Sequence, residues 1–252
     1  MIHFVGAGCG AADLITLRGR RLIEEADVII YAGSLVNPEL LAWRKADCAV
    51  WDSARMTLEE VFAVMEQAER AGRTTVRLHS GDPSLYGAVR EQMDLLDAAG
   101  IAYDSCPGVS ALGGAAAALN LEYTLPGVSQ SVIITRAAGR TPVPEKESLR
   151  ALAAHGATMV LFLSAGLLDR AAEELMAGGY KAETPAAIVS RASWPDERCF
   201  RCTVGTLAAC ARENDVARTA LILVGDAVAQ SGYRRSDLYR PGFATGFRPA
   251  RE

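Results

Sequence analysis

The tripeptide Gly81-Asp82-Pro83 follows directly on the strand-like run Val76-Arg77-Leu78-His79. A strand end exposes backbone N–H and C=O groups at the edge of a sheet, where they can grip the amino and carboxylate ends of an amino-acid-like ligand. Asp82 is the one charged side chain of that turn. A second reading, equally open on the residues alone, makes Asp82 only the cap of a following helix. An earlier glycine cluster, Gly6-Ala7-Gly8-Cys9-Gly10, invites comparison with a dinucleotide fingerprint. Ala11 stands where the third glycine would fall. The acidic residue expected about 20 residues further on is replaced by Tyr31 and Ala32. A nicotinamide site is therefore disfavoured, and a tight strand-to-helix turn remains.

Other reactive residue types are scattered. Cys199 and Cys202 form a C-x-x-C pair, but a structural zinc needs four ligands, and there is no second pair and no histidine nearby. Residues three apart on a strand also point to opposite faces. These two cysteines, like Cys9, Cys48, Cys106 and Cys210, are expected to be thiols, and the pair to lie in the core. No metal site is expected. His3, His79 and His155 fall in three different elements, and only His79 adjoins the Gly81 turn. Arg18, Arg20 and Arg21 read as a solvated helix face. Neither a serine nucleophile elbow nor a P-loop lysine motif is present.

The elements that must position these residues alternate between short apolar strands and amphipathic helices, the pattern of an α/β protein. Strands are expected at Ile2 to Val5, Asp27 to Tyr31 and Val76 to His79. Thr57 and Glu60 form a capping box ahead of Leu58, Val61, Phe62 and Met65, with Gly72 closing that helix. A helix is expected between Pro83 and Gly100. Cys106-Pro107-Gly108-Val109-Ser110 reads as a second strand-to-helix turn before the Ala-rich helix Ala111 to Leu119. Pro126 and Gly127 suggest a boundary, giving an N-terminal α/β domain at 1–124 and a C-terminal α/β domain at 125–252. In the second domain strands are expected at Ser131 to Thr135, Thr158 to Leu163, Ala186 to Ser190, Cys199 to Val204 and Ala220 to Val224. The tail after Gly232 reads as irregular.

The chain has 252 residues, half of them hydrophobic, which is enough for substantial cores. A net charge of −4 with no basic stripe argues against nucleic acid as a partner. No run approaches the roughly 18 to 20 apolar residues of a membrane helix. Met1 leads straight into strand-like sequence, so a cytoplasmic location and no membrane partner are expected.

Four segments together resemble the tetrapyrrole (corrin and porphyrin) methylase family. They are Val5-Gly6-Ala7-Gly8-Cys9-Gly10 with Asp13-Leu14-Ile15-Thr16; Ser80-Gly81-Asp82-Pro83 with Tyr86-Gly87; Pro107-Gly108-Val109-Ser110-Ala111; and Thr219-Ala220-Leu221-Ile222-Leu223-Val224-Gly225-Asp226. The family usually has proline at the place of Cys9 and often methionine at that of Leu163. The resemblance spans nearly the whole chain. It implies a homodimer of two-domain subunits, with S-adenosylmethionine held in a trough between the domains. The implied cofactor contacts are Cys9, Ser80, Gly81, Asp82, Leu85, Ser110, Ala111, Leu163, Ala192, Ala220 and Leu221. Asp82 is the one side chain expected near the chemistry.

Three more segments, Tyr31 to Pro38, Asp52 to Thr57 and Thr135 to Pro142, resemble the branch that acts on corrin precursors. They imply methylation of precorrin-4 at carbon 11 on the route to cobalamin. A corrin precursor carries many carboxylates, and a net-acidic protein needs placed cations to hold them. Arg136 and Arg140, after a strand end, and then Arg55 are the candidates, because a guanidinium can make two parallel bonds to a carboxylate. The rival readings are a sibling methylase, with another target carbon, a cobalt-containing substrate or a diphthamide substrate, and a protein that binds donor or tetrapyrrole without turnover.

Overall fold

The computed structural model describes residues 1–251. It is a mixed α/β protein that divides into two compact units, one of Met1–Ala118 with Arg191–Arg198, the other of Leu119–Ser190 with the chain from Cys199 onward.

The first unit is built on a five-stranded sheet. Its strands are β1 (Ile2–Gly6), β2 (Val28–Tyr31), β3 (Ala49–Asp52), β4 (Thr75–His79) and β5 (Tyr103–Cys106), in the order β3-β2-β4-β1-β5. Every pairing is parallel. Parallel sheets are covered on both faces, so their inner strands read as near-continuous apolar runs. Alternate residues divide between two cores. Val5, Ile29, Val76 and Leu78 pack with Ile23 of α1 (Leu17–Glu25). Ile2, Phe4, Val28 and Ile30 pack with Val61, Met65 and Ala68 of α2 (Leu58–Arg70) and Leu96 of α3 (Arg90–Ala99). The capping box forms: Glu60 N–H donates to Thr57 Oγ1, and Glu60 Oε2 accepts the Thr57 N–H at 2.8 Å. Such a cap is worth about 0.5–2 kcal/mol. The last helix of the unit is α4 (Ala111–Leu119).

The first unit departs from expectation at two places. Ala49–Asp52 is a strand that periodicity did not signal, because it is a short edge strand with Val50 and Trp51 exposed. The helix expected straight after Pro83 begins only at Arg90. Residues 82–89 form an irregular loop in which Tyr86 (φ 57°) and Ala88 (φ 48°) take left-handed backbone around Gly87. A Cβ on Gly87 would lie 2.2 Å from the Pro83 carbonyl oxygen, so the turn closes only around glycine.

The second unit has its own five-stranded sheet in the order β6-β7-β10-β8-β9. The strands are β6 (Val132–Arg136), β7 (Thr158–Phe162), β8 (Pro185–Ser190), β9 (Arg198–Thr203) and β10 (Ala220–Val224). β6 and β7 are parallel, whereas β10 runs antiparallel to β7 and β8. Its core joins Met159, Leu161, Ile188 and Ile222 to α5 (Leu149–Ala153), α6 (Leu168–Ala177) and α7 (Leu207–Glu213). All six cysteines remain thiols. Cys202 packs against this core beside Cys210, and burial pushes its thiol up to about 12. Cys199 is exposed rather than in the core, because β9 turns alternate residues outward at the sheet edge. Among the described residues no cluster of ligand side chains could hold a metal, and no helix is long and apolar enough to cross a membrane.

Candidate functional site

Connections leaving β1 and β4, which are neighbours, run in opposite directions along the first sheet. That arrangement opens a crevice at the carboxyl ends of the strands, where open α/β sheets bind ligands. The loops after β1, β4 and β5 meet there, backbone against backbone. Gly8 and Gly81 form an isolated antiparallel bridge, with Gly81 N–H donating to the Gly8 carbonyl at 2.8 Å. A Cβ on Gly108 would come within 2.2 Å of the Gly81 carbonyl oxygen and 2.7 Å of the Gly6 Cα. Gly81 itself has φ 63°, in the left-handed region that glycine enters without steric cost. Gly6, Gly8, Gly81 and Gly108, from three separate stretches of the sequence, thus serve one junction.

Asp82 locks the junction. Its Oδ2 accepts the Gly108 N–H at 2.9 Å, and its Oδ1 accepts both the N–H and the hydroxyl of Ser84. It caps no helix, since α3 starts eight positions later. Burial pushes the carboxyl up, but the donors from Ser84 and Gly108 outweigh it and hold the group below the usual carboxylate range. Asp82 is therefore an anion at the mouth of the crevice. Ser110 caps the start of α4, its Oγ accepting the Leu112 N–H at 3.2 Å, and Ala111 begins the helix. The positive end of α4 stands beside Gly81, whose Cβ position is 3.6 Å from the Ala111 nitrogen.

The segment 191–198 completes this edge of the first unit. Arg191 and Ser193 have positive φ and present Ala192, which is buried. Ser193 Oγ accepts the Ala11 N–H at 3.0 Å and lies 3.3 Å from Cys9 Sγ. Cys9 Sγ also occupies the space that a Cβ on Gly114 would need, at 2.6 Å. Of the expected cofactor residues, Cys9, Ser80, Gly81, Asp82, Leu85, Ser110, Ala111 and Ala192 all belong to this unit. Leu163, Ala220 and Leu221 belong to the other. There, Leu161 pairs with Ile222, which sets Leu163 and Ala220 at the same edge of the second sheet. Leu163 has φ 51° and is 68% exposed, an apolar side chain held outward by its backbone.

The expected substrate cations belong to different units, Arg136 and Arg140 to the second and Arg55 to the first. Arg136, at the end of β6, donates to the carbonyls of Thr141 at 3.1 Å and Pro142 at 2.7 Å, so its fork shapes its own loop. Arg140, in that loop, is exposed. Arg55 lies in the first unit, exposed at the end of the 3-10 turn Ser53–Arg55.

Two residues that sequence reading did not assign lie close to this edge. A cavity of about 290 Å³ is lined by residues following β2 and β3, the starts of α2 and α3, and the 85–88 loop, with Arg77, His79 and Ser80 on its β4 wall. Arg77 is 7% exposed and His79 5%. Arg77 donates through Nε to Gln92 Oε1 at 2.9 Å and through Nη1 to the Ile30 carbonyl at 3.3 Å. Burial lowers its guanidinium to about 10, so it stays charged near neutral pH. His79 stacks on Phe4 with ring centroids 6.1 Å apart. Burial, reinforced by the charge of Arg77, lowers its imidazole to about 3, so it is neutral there. Its Nε2 is buried without a hydrogen-bond partner among the described residues. The signal in the sequence was the alternation of two polar residues, at 77 and 79, within a buried strand.

Known proteins resemble this chain over nearly its whole length. Residues 1–208 match the family described as tetrapyrrole (corrin/porphyrin) methylases. The chain is 49% identical over 247 residues to a cobalt-precorrin-4 C(11)-methyltransferase of Methanocaldococcus jannaschii, covering 98% of this chain and 95% of the relative. It is 47% identical over 239 residues to a precorrin-4 C(11)-methyltransferase of Mycobacterium tuberculosis, covering 94% and 95%. Among solved structures, a cobalt precorrin-4 methyltransferase superposes with a TM-score of 0.88 at 44% identity, covering 90% of this chain and 95% of that one. A uroporphyrin-III C-methyltransferase of Thermus thermophilus, complexed with S-adenosylhomocysteine, gives 0.76 at 26% identity, covering 91% and 99%. With its glycine junction, its Asp82 clasp and a match running from the first residue through both sheets, the chain belongs to the tetrapyrrole (corrin/porphyrin) methylases.

Proposed function

We propose that the protein transfers a methyl group from S-adenosylmethionine to carbon 11 of precorrin-4, giving precorrin-5. The observation that carries this reading is near-full-length identity of 47–49% to relatives named for that reaction. The M. jannaschii relative is named for the cobalt-containing substrate, which favours cobalt-precorrin-4 as a second acceptor to be tested alongside the first.

The residues of the first unit fit a ligand with an amino-acid end. Asp82 is ionised and partly exposed beside the positive end of α4. An ammonium group suits the first, and a carboxylate suits the second. The glycines at 6, 81 and 108 keep side chains out of the junction, so that backbone groups of Ser80, Gly81, Ser110 and Ala111 can lie against the ligand, with Cys9, Leu85 and Ala192 as its apolar neighbours. When bound, S-adenosylmethionine supplies a methyl group attached to a sulfonium leaving group. The protein needs mainly to hold an electron-rich ring carbon in line at roughly 3 to 3.5 Å. That task calls for shape and placed charge, and it accounts for a site without a nucleophile dyad. Asp82 places the donor rather than moving protons. Arg140 and Arg55, exposed, meet acceptor carboxylates, and Arg136 shapes the loop that carries Arg140.

The test is incubation of the protein with precorrin-4 and donor labelled with carbon-13 in the methyl group. NMR should place the label on carbon 11. A label on another ring carbon overturns the acceptor assignment and leaves the donor assignment standing. The reading extends to a homodimer acting in the cytoplasm, which light scattering on the purified protein and fractionation of cells address.

A further inference from the structure

We propose that the cavity walled by β4 and the 85–88 loop is a carboxylate-binding subsite, with Arg77 and His79 as its ligands, and that it takes one carboxylate arm of the acceptor. The identity of the arm rests on the proposed function; the anion site does not.

Arg77 is a cation buried without a counter-charge among the described residues. Its two bonds go to the neutral groups of Gln92 and Ile30, leaving Nη2 for a ligand. Burying an unpaired charge is costly, and proteins keep one where a partner arrives later. Two residues along the same strand, His79 Nε2 is a buried polar atom with no partner among the described residues. Such orphans are rare in native proteins, and each costs the full desolvation of the group. Both residues line one space of about 290 Å³. At roughly 30 Å³ per water molecule, that space holds a short carboxylate arm with its solvent.

The lining sets the chemistry of the occupant. Hydroxyls of Thr57 and Ser80 add donors, while Leu35 and Met56 give an apolar flank for methylene groups. One cation with a neutral imidazole matches a single negative charge better than a phosphate dianion. Among the described residues the one acid in the lining, Glu91, is exposed at the rim. The neutral imidazole donates when its proton is on Nε2, and the guanidinium offers Nη2, so both oxygens of one carboxylate can be served. The left-handed residues Tyr86 and Ala88 hold the loop wall in a shape it would not take unaided, which is typical of ligand clamps.

The experiment uses His79→Phe and His79→Gln in the full-length protein. Phenylalanine keeps a ring stacked on Phe4 and removes the orphan nitrogen; glutamine returns a donor. We expect His79→Phe to melt no lower than the parent and to bind S-adenosylhomocysteine with unchanged affinity by calorimetry. Its KM for precorrin-4 should rise roughly tenfold or more, the loss of one charge-assisted hydrogen bond. His79→Gln should recover part of that loss. An unchanged KM, or a loss confined to S-adenosylhomocysteine binding, overturns the assignment, the latter by making the donor's own carboxylate the occupant. A second readout is independent of turnover. The chain has three histidines, so nitrogen-15 spectra of the imidazoles are simple. Glutarate should shift the His79 signals at lower concentration than inorganic phosphate does. The reverse order, or no response, counts against a carboxylate site. A glutarate response in a protein that methylates no tetrapyrrole would refute the functional reading alone; methylation with neither a response nor a KM effect would refute the subsite alone.

Discussion

The Asp82 carboxylate accepts the backbone N–H of Gly108 at 2.9 Å, joining the loop after β4 to the loop after β5. Its other oxygen is engaged by Ser84. One side chain therefore fixes the relative placement of two of the three loops that build the crevice. Asp82→Ala should orphan the Gly108 N–H and lower stability to urea by about 1–3 kcal/mol. Asp82→Asn keeps an acceptor and should lose less stability, yet should match the alanine variant in weakened S-adenosylhomocysteine binding, because the charge is gone from both. Equal donor affinity in parent and asparagine variant would remove the ammonium-binding role. The folded Asp82 carboxyl is held below its ordinary value, so its stabilisation is present above the unfolded pKa of about 3.9 and is lost as pH falls through the lowered one.

Gly108 and Gly113 stand five residues apart and should respond oppositely to alanine. At Gly108 a Cβ would lie 2.2 Å from the Gly81 carbonyl oxygen, with backbone on both sides that cannot yield. Gly108→Ala should abolish donor binding or folding. At Gly113, in the first turn of α4, the nearest atom to a Cβ is Val109 Cγ1 at 3.9 Å. Gly113→Ala should stabilise by about 0.5–1 kcal/mol through helix propensity and a less disordered unfolded chain. Thermal melts of the two variants check this.

His79 makes stability depend on pH. Its folded pKa, about 3, lies below the unfolded value near 6.5. Between these values the unfolded chain binds the extra proton, so stability is full above about pH 6.5 and falls as pH drops toward 3. The groups facing it in the cavity are Arg77, which opposes protonation, Tyr86 and the exposed Glu91. The parent should lose on the order of a few kcal/mol across this window, beyond what its carboxylates account for. His79→Phe should remove that part of the slope in urea titrations from pH 7 to 4. Identical slopes would mean that the imidazole is not buried neutral.

Arg136 and Arg140 should separate loop shape from ligand contact. Arg140 is exposed, so Arg140→Ala should leave stability within about 0.5 kcal/mol and raise the KM for the tetrapyrrole. Arg136 braces the carbonyls of Thr141 and Pro142. Arg136→Lys should therefore fail to rescue Arg136→Ala, since one ammonium does not reproduce a planar fork. Steady-state kinetics with both substrates decide it; a full rescue by lysine would assign Arg136 a simple charge role.

The sequence by itself determined most of the strands and where they end. Apolar runs in β1, β2, β7, β8 and β10 are regular because those strands are buried, and burial writes itself into composition. The capping box at Thr57 and the glycine-rich turns were legible for a similar reason, since each is a local requirement met by adjacent residues. Edge strand β3 was not legible, because an exposed edge demands no apolar pattern. The late start of α3 was also hidden. Its preceding residues do not forbid helix; they are held in left-handed turns by the packing of Gly87 on Pro83. Only the tertiary structure decided that Asp82 spans to Gly108 rather than capping a helix, because that bond joins residues 26 apart. Only it decided that Arg77 and His79 face a cavity. Strand alternation puts both on one face, but whether that face is filled depends on helices α2 and α3, which reach it from elsewhere in the chain.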